Sequence, residues 1–338
     1  MKRYSTVFPD YLTLSADDWG KESSSCIRLL KSGQKVLLTS TFFRGLHIVS
    51  ELKGEFPIPK GCSYATRRHL EQQFRNTSLN LIVQIQGSDP QLEGIDTNPF
   101  LKDFYPQTTF YLPFVVLQEL VGAWKTYSTG VHYPVLGRRL HPFFGVYYPT
   151  RTEHLELFAT WLSQYKGPKD HCVDVGTGSG ILTFLLARSG FQTIDAIDQN
   201  PNAVWSVQED LKRHPIDGTI RLHHADLLSP VESAHLIVFN PPWIPGKSNS
   251  SVTEALFFDG GLFERFFDQA YTALPIGGTV VLIFSTILTL LRPDIPHPIE
   301  SELQKRRFKL VQKLQRKVKP KSGQRTKEKV QIWELIRL

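Results

Sequence analysis

The sequence contains little cysteine, and its three cysteines, Cys26, Cys62 and Cys172, lack the paired spacing of a zinc site. An odd number of cysteines also argues against a disulfide framework, so we expect no metal site and a cytoplasmic location, where thiols stay reduced. Long apolar runs are missing as well. The longest, residues 279–291, is interrupted by serine and threonine and is too short to span a bilayer, so it predicts a buried strand. The first residues do not resemble a signal peptide, and we expect no association with a membrane.

Acidic residues are nearly absent from one segment, between Lys305 and Lys329. This segment holds twelve lysines or arginines and a single acid, Glu328, and therefore carries a net charge of +11. The rest of the chain holds 27 basic and 31 acidic residues, a net charge of −4. A charge this concentrated favours contact with nucleic acid, although a solvated hairpin would also place these residues at the surface.

The C-terminal half of the chain alternates between strand-like and helix-like segments. With 338 residues and a hydrophobic fraction of 41%, the chain is long enough for two domains. The alternation predicts an α/β fold with a doubly wound, largely parallel sheet. The last two strands, 309–319 and 329–338, are joined by a short loop with proline and glycine, so we expect them to form an antiparallel hairpin at one edge.

The first 140 residues carry no motif that indicates a function. Their patterns predict a mixed α/β structure, and we interpret residues 1–140 as an accessory or substrate-recognition domain and residues 141–338 as the doubly wound domain. The segment 128–150 is rich in glycine, proline and aromatic residues and is expected to be a linker or a lid. In the accessory domain the patterns are helical at 67–76 and 114–127 and strand-like at 34–43 and 79–86.

A glycine-rich turn follows the first strand of the C-terminal half, in the stretch HCVDVGTGSG. Gly176, Gly178 and Gly180 stand at alternate positions, where glycine allows both a tight turn and a close approach to a ligand. Asp174 precedes the turn within the strand. The spacing differs from the GxGxxG motif of dinucleotide sites, and such a turn alone is weak evidence for any cofactor.

Two further acids are expected at the ends of the next two strands. Asp198 lies eighteen residues beyond Gly180, where a carboxylate can accept hydrogen bonds from both hydroxyls of a ribose. Asp226, or the amide of Leu227, could bind the amino edge of an adenine. Each acid also has a structural interpretation, since Asp198, helped by Asn200, could cap the helix that begins at Pro201, and Asp226 could begin a turn.

A fourth strand, in LIVFNPPWIPG, ends on the tetrad Asn240, Pro241, Pro242 and Trp243. Two consecutive prolines cannot donate ladder hydrogen bonds, so the strand has to end there. Taken singly, the tetrad could be a turn that closes a buried strand. Ligands of an open parallel sheet, however, bind beyond the carboxyl ends of its strands, and the glycine turn, both acids and the tetrad all occupy such ends. Together, these features predict a ligand site.

These motifs together resemble the class I S-adenosylmethionine-dependent methyltransferases, over about residues 145–338. The likeness is greatest to the amino-methyltransferases with an (N/D/S)PP(Y/F/W) tetrad, which modify exocyclic nitrogens of bases or a glutamine amide. The resemblance implies a seven-stranded Rossmann-like sheet and S-adenosylmethionine as the cofactor. It also implies that the tetrad holds the target, and that the cofactor is bound by Asp174, Gly176, Thr177, Gly178, Gly180, Asp198, Asp226 and Leu227.

The tetrad suits methyl transfer to a nitrogen whose lone pair is delocalised. The Asn240 side-chain oxygen and the Pro241 carbonyl can each accept one N–H hydrogen bond, which directs the lone pair at the sulfonium methyl. Trp243 offers a flat face for stacking, worth about 1–3 kcal/mol for a base. Alignment for in-line transfer supplies the rest, so that no metal and no nucleophilic side chain is needed.

Three interpretations of the substrate are compatible with the sequence. In a doubly wound sheet that ends in a hairpin, the basic loop projects from the same edge as the tetrad, which favours an RNA backbone beside the pocket. The stretches 146–157 and 254–261 instead resemble the release-factor glutamine methyltransferases. The tetrad of that subfamily ends in Tyr where this chain has Trp, and its PRPxTE element is matched only in part, by residues 149–153. The third interpretation is a non-catalytic, cofactor-binding scaffold. If the substrate is RNA, its expected contacts are Lys317, Lys319, Lys321 and Arg325.

Overall fold

The chain forms two compact units, Met1–Lys125 and Thr126–Leu338. The division between them falls earlier than the predicted boundary after residue 140. The structure, a computed structural model, describes residues 12–14, 24–105, 107–246, 257–319 and 327–338.

The first unit is a mixed α/β structure around a five-stranded sheet. Its elements are β1 (Leu12–Leu14), α1 (Ser24–Lys31), β2 (Val36–Leu38), α2 (Phe42–Gly54), α3 (Tyr64–Ser78), β3 (Leu81–Gln86), β4 (Asp89–Pro90), α4 (Pro99–Phe104), β5 (Thr109–Pro113) and α5 (Phe114–Thr129). The predicted strand at 34–43 is wrong in its second half. It ends at Leu38, because Thr41 caps α2 by accepting a hydrogen bond from the backbone N–H of Arg44 at 3.0 Å.

The second unit contains a seven-stranded sheet. Its elements are β6 (Val131–Tyr133), β7 (Arg138–Leu140), α6 (Glu153–Gln164), β8 (His171–Val175), α7 (Ile181–Arg188), β9 (Thr193–Asp198), α8 (Pro201–Arg213), β10 (Thr219–His224), β11 (Leu236–Phe239), β12 (Ile244–Pro245), β13 (Phe257–Phe258), α9 (Leu262–Ala273), β14 (Thr279–Ser285), α10 (Ile287–Leu291), α11 (Pro298–Gln304), β15 (Phe308–Lys317) and β16 (Lys329–Arg337).

The order of the strands in this sheet is β10-β9-β8-β11-β14-β16-β15. The first five strands are parallel, whereas β16 is antiparallel to both of its neighbours. β15 therefore runs parallel to β14 and ends at the same carboxyl edge as the five parallel strands. This order confirms the predicted doubly wound α/β sheet with a C-terminal antiparallel hairpin.

The core of the second unit lies on both faces of the sheet. Every residue of β11 and β14 is buried, as expected for central parallel strands that are covered on both sides. Neighbouring residues of β11 point into different hydrophobic clusters. Val238 joins a cluster with Trp161 of α6, whereas Ile237 joins one with Phe266 of α9. The two clusters fix the central strands, and so fix the positions of the loops that follow them.

The segment 128–150 is not a linker. It includes the paired strands β6 and β7, and Tyr133, Leu136 and Leu140 are buried in the same hydrophobic cluster as β8 and α7. The Tyr133 hydroxyl donates a hydrogen bond to the carbonyl of Pro149 at 3.0 Å. Glycine, proline and aromatic residues suggested a connecting segment, but the aromatic side chains instead anchor the segment to the second unit.

The cysteines are all free thiols. Burial raises the pKa of Cys26 to about 11 and raises the pKa of Cys172 well above its ordinary value, so both thiols are protonated and unreactive. Among the helices of the described residues, none combines the length and the apolar character needed to cross a membrane.

Candidate active site

One row of paired residues marks the carboxyl edge of the sheet. Val175 of β8 pairs with Ile197 of β9 and with Phe239 of β11, which in turn pairs with Leu282 of β14. Neighbouring strands lie about 4.8 Å apart. The residues one step beyond this row, in the glycine turn, at Asp198 and at the start of the tetrad, are therefore adjacent. The structure thus brings together the three central features predicted from the sequence.

The glycine turn needs its glycines for two physical reasons. Gly176, Gly178 and Gly180 all have positive φ, at 67°, 54° and 80°, a backbone conformation that disfavours side chains. A Cβ on Gly178 would also lie 3.0 Å from the carbonyl oxygen of Tyr147. That carbonyl accepts a hydrogen bond from the backbone N–H of Ser179 at 3.1 Å, so the segment before α6 packs directly against the turn.

Asp198 holds the loops at the ends of β8 and β9. Its Oδ2 accepts a hydrogen bond from the backbone N–H of Gly178, and its Oδ1 accepts one from the N–H of Asn200, both at 2.8 Å. The cap of α8 is the side chain of Asn200, which accepts from the backbone N–H of Asn202. The structural interpretation of Asp198 as the helix cap is therefore wrong. Its carboxylate nevertheless shapes the glycine turn, which the sequence did not reveal.

Asp174 lies fully buried beneath the turn. Its Oδ2 accepts hydrogen bonds from the backbone N–H of Thr183 at 3.0 Å and from the hydroxyl of Thr183 at 2.6 Å, which ties β8 to α7. Its Oδ1 is buried without a partner in the described residues. Burial raises the pKa of Asp174 to about 6, although the hydrogen bonds from Thr183 act to lower it. The side chain of Asp174 is therefore fixed beneath the glycine turn and is not exposed at its surface.

The raised pKa of Asp174 predicts a pH-dependent stability. Because its pKa in the folded protein lies above the ordinary value of 3.8, the carboxyl contributes stability that is fully present below about pH 4 and is lost as the pH rises through about 6. Asp174→Asn does not titrate at this position. We therefore expect the free energy of unfolding of the variant, relative to that of the wild type, to be more favourable at pH 7.5 than at pH 4.5. The gain should be on the order of 1–3 kcal/mol. Urea unfolding at both pH values measures it, and a difference that does not change with pH would contradict the assignment.

Asp226 is in a different setting from the other two acids. β10 ends at His224, so Asp226 lies two residues beyond the strand, in a turn. Its side chain is exposed and lies 3.8 Å from Nε of Arg265. The next residue, Leu227, is buried with a φ of +49°, which is rare for a residue with a side chain. Strained backbone of this kind often accompanies a ligand site.

The tetrad continues β11 after its ladder has ended. Pairing of β11 with β14 stops at Phe239 and Leu282, and the carbonyl of the next residue of β14, Ile283, accepts a hydrogen bond from Nε1 of Trp243 at 3.1 Å. The indole thereby replaces the backbone donor that Pro241 lacks. The side-chain oxygen of Asn240, Oδ1, is buried and accepts no hydrogen bond from any described residue.

A histidine that the sequence did not single out packs against the tetrad. His154, at the start of α6, is 3% exposed, and its ring stands at 88° to the indole of Trp243 with the ring centroids 5.6 Å apart. Its Nε2 is likewise buried without a partner in the described parts of the chain. The only sequence signal for this residue was its position directly after the segment 149–153, which partly matches the PRPxTE element.

The segment 149–153 also contacts the residues on either side of the loop of the C-terminal hairpin. Glu153 accepts a hydrogen bond from the backbone N–H of Lys319 at 2.9 Å, and Arg151 lies 3.3 Å from Glu328. Burial acts to raise the pKa of Glu153, but the N–H of Lys319 and the charge of Arg151 outweigh it and lower the pKa. Glu328 also accepts from the hydroxyl of Ser285, the last residue of β14. These contacts connect the hairpin to the edge that carries the tetrad.

The basic segment is only partly available to a ligand. Arg307 pairs with Glu302, and Arg316 pairs with Glu156. Lys317 and Lys319 are exposed, and no described acid lies within ion-pair distance of either. Their position is at the carboxyl edge, because Lys317 pairs with Lys329 one step beyond the row in which Arg316, Val330 and Ser285 are paired. The other two predicted contacts, Lys321 and Arg325, lie outside the described residues.

The region that holds this site is similar to known methyltransferases. Residues 155–292, which include the glycine turn, both acids and the tetrad, match the model of the family described as Methyltransferase small domain. A ribosomal protein L11 methyltransferase from Geobacillus kaustophilus is 39% identical over 80 residues, or 23% of this chain and 26% of that protein.

Two other relatives match longer stretches of the chain. A putative protein N5-glutamine methyltransferase from Methanocaldococcus jannaschii is 28% identical over 123 residues, covering 34% of this chain and 61% of that protein. The ribosomal RNA small subunit methyltransferase C of Alcanivorax borkumensis is 28% identical over 118 residues, covering 35% and 33%. The chain thus spans 26% to 61% of the length of these relatives.

The family match coincides with the region that holds the predicted site. The matched model is that of a methyltransferase family, which agrees with the expected enzyme class and with S-adenosylmethionine as the expected cofactor. The roles assigned to individual residues, and the substrate, stay predictions. Residues 155–292, which are 138 of the 338 residues, are similar to the methyltransferase small domain family.

Proposed function

We propose that the protein transfers the methyl group of S-adenosylmethionine to a planar exocyclic amino group of a base in RNA. One observation carries the proposal. Asn240 presents a buried oxygen without a hydrogen bond to any described residue, at the end of the central strand and directly beside the glycine turn. A buried acceptor without a donor is costly, so its presence favours a ligand that supplies the N–H.

The cofactor would lie across the ends of β8, β9 and β10. Asp198 would accept the ribose hydroxyls, and its carboxylate already accepts hydrogen bonds from the backbone N–H groups of Gly178 and Asn200. Gly176 and Gly178 would let the ligand approach the backbone closely, with Thr177 between them. The turn at Asp226 and Leu227 would receive the adenine. Asp174 and Gly180 would act mainly by fixing the turn, since both are packed beneath it.

The chemistry follows from what the tetrad can accept. One N–H of the target donates to Asn240 Oδ1 and the other to the Pro241 carbonyl, which withdraws the nitrogen lone pair from conjugation. S-adenosylmethionine, when bound, would supply an activated methyl group and take the electron pair of the broken carbon–sulfur bond, while the tetrad would hold the target nitrogen with its lone pair in line with that methyl. The nitrogen then releases one proton to solvent. Trp243 contributes a ring that its hydrogen bond to Ile283 and its contact with His154 hold in place.

Charge and position support RNA as the substrate. Lys317 and Lys319 lie at the carboxyl edge of the sheet, at the loop end of the hairpin. The backbone N–H of Lys319 donates a hydrogen bond to Glu153 of α6. A phosphate backbone that follows this edge would present a base to the tetrad. An accessible or flipped base is required for this, which a structured RNA offers more readily than duplex DNA.

Neutralising the basic hairpin should weaken RNA binding without affecting the cofactor. We expect the change of Lys317, Lys319, Lys321 and Arg325 to Gln to flatten the dependence of log K on log salt by about 0.7–0.9 per lost phosphate contact. A control with two of the charges removed changes Arg306 and Lys309 to Gln, exposed residues of the same basic segment at the opposite end of β15, and its effect is compared with that of Lys317 and Lys319 changed to Gln. The measurement is RNA affinity across a salt series. Equal effects of the two sets would contradict a role for the carboxyl edge.

A protein glutamine is the second candidate target. The relative named as a putative protein N5-glutamine methyltransferase, together with the partial PRPxTE match at 149–153, favours it. On this alternative, label from the cofactor would enter a polypeptide, and transfer would survive the four substitutions. A non-catalytic scaffold would transfer no label to either fraction.

A further inference from the structure

We propose that His154 is a second polar contact of the target. Its Nε2 would donate a hydrogen bond to the acceptor atom that stands beside the methylated amino group. This proposal deepens the proposed function and rests on it for the location of the target pocket.

The first argument is the position of His154 in the fold. It is the second residue of α6, and its ring packs perpendicular to the indole of Trp243 at 5.6 Å between centroids. Trp243 is itself fixed by its hydrogen bond to Ile283. His154 is therefore part of the same rigid arrangement as the tetrad, although it comes from a different element.

The second argument is an unmet hydrogen bond. His154 is 97% removed from solvent, since its relative exposure is 3%, and its Nε2 meets no partner in the described chain. The same holds for the Oδ1 atom of Asn240, three residues before Trp243. Leaving a buried polar atom without a hydrogen bond is costly. One of these two atoms belongs to the tetrad and the other to a ring packed on Trp243 of the tetrad, so a common ligand explains both.

The third argument is the charge of the imidazole. Burial lowers the pKa of His154 to about 4, against a smaller opposing effect of Glu153. The ring is therefore neutral at neutral pH, with one nitrogen as donor and the other as acceptor. A neutral donor suits an uncharged target, because no charge has to be buried with it.

The chemistry of the target matches this pair of groups. Adenine, cytosine and a carboxamide each present an amino group next to an acceptor, which is a ring nitrogen in the bases and a carbonyl oxygen in the amide. Asn240 Oδ1 would accept from the amino group while His154 Nε2–H donates to its neighbour. A site that binds both atoms rejects groups that lack either one.

Two substitutions separate this role from packing. His154→Phe keeps an aromatic ring against Trp243 but removes the donor, whereas His154→Gln keeps an N–H donor of similar reach. With RNA from cells lacking the gene as substrate, we expect His154→Phe to lower kcat/KM about 10- to 100-fold, mainly through KM, and His154→Gln to stay within about fivefold of the wild type. Both variants should keep the wild-type Kd for S-adenosylmethionine. Full activity of His154→Phe, or equal loss in both folded variants, would overturn the proposal.

A measurement without turnover keeps the test independent of the RNA assignment. The 15N resonance of Nε2 in histidine-labelled protein, assigned through His154→Gln, should shift when adenosine, cytidine or glutamine amide is added with S-adenosylhomocysteine present. A shift with glutamine amide alone would support His154 as a target contact and contradict RNA as the substrate. No shift with any of the three probes, at concentrations that perturb the fluorescence of Trp243, would contradict the role of His154.

Discussion

Asn240→Ala is expected to lower kcat by about 100-fold or more while the Kd for S-adenosylmethionine changes little. The hydrogen bond to the side-chain oxygen strengthens as the lone pair is freed, so its loss acts on the transition state more than on binding. Oδ1 of Asn240 has no hydrogen-bond partner among the described residues, so the substitution removes no hydrogen bond between them and should not destabilise the fold. A fall in kcat can then be attributed to the lost contact with the target.

Asn240→Asp provides the matched control for this prediction. It keeps an oxygen acceptor of the same size, so it should retain more activity than the alanine variant. Calorimetric binding of the cofactor and single-turnover transfer to RNA measure the two effects separately. Near wild-type turnover of Asn240→Ala would show that methyl transfer takes place elsewhere.

Asp198→Ala is expected to weaken S-adenosylmethionine binding at least about tenfold. Charge-assisted hydrogen bonds to the ribose are lost, and their strength accounts for a change of this size. The structure adds a second effect, since the carboxylate also holds the N–H groups of Gly178 and Asn200. The alanine variant therefore also loosens the glycine turn, and its affinity alone does not isolate the ribose contact.

A cycle of protein and ligand changes separates these two effects. Removing the ribose hydroxyls from S-adenosylhomocysteine should weaken binding to the wild type but have little further effect on Asp198→Ala. Asp198→Asn keeps one acceptor oxygen, so removal of the ribose hydroxyls should weaken its binding by an amount between those of the wild type and Asp198→Ala. If the ligand change costs the same affinity in both proteins, Asp198 does not bind the ribose.

The sequence predicted the features whose causes are local. The glycine turn was recognised because positive φ at alternate positions requires glycine, and β11 was expected to end at Asn240 because Pro241 cannot donate to a ladder. The alternation of strands and helices predicted a doubly wound, largely parallel sheet for a similar reason, since parallel strands need crossover helices. A parallel sheet places the carboxyl ends of its strands at one edge, so the glycine turn, Asp198 and the tetrad were expected at the same edge.

The features that escaped prediction depend on contacts between distant segments. No periodicity shows that His154 packs on Trp243, or that the backbone of Lys319 bonds to Glu153. The count of basic residues gave the charge of the hairpin but not the ion pair of Arg316 with Glu156, which comes from α6. The composition of the segment 128–150 is typical of a linker, whereas Tyr133, Phe143 and Phe144 are buried in the structure.

The most direct test of the account is transfer of a labelled methyl group from S-adenosylmethionine to RNA, DNA and protein fractions of cells that lack the gene. The account predicts label in RNA, as a methylated exocyclic amino group of a base, and loss of that label with Asn240→Ala. Label in protein glutamine would contradict the RNA assignment. The absence of label in every fraction, from protein that binds the cofactor, would contradict the catalytic function itself.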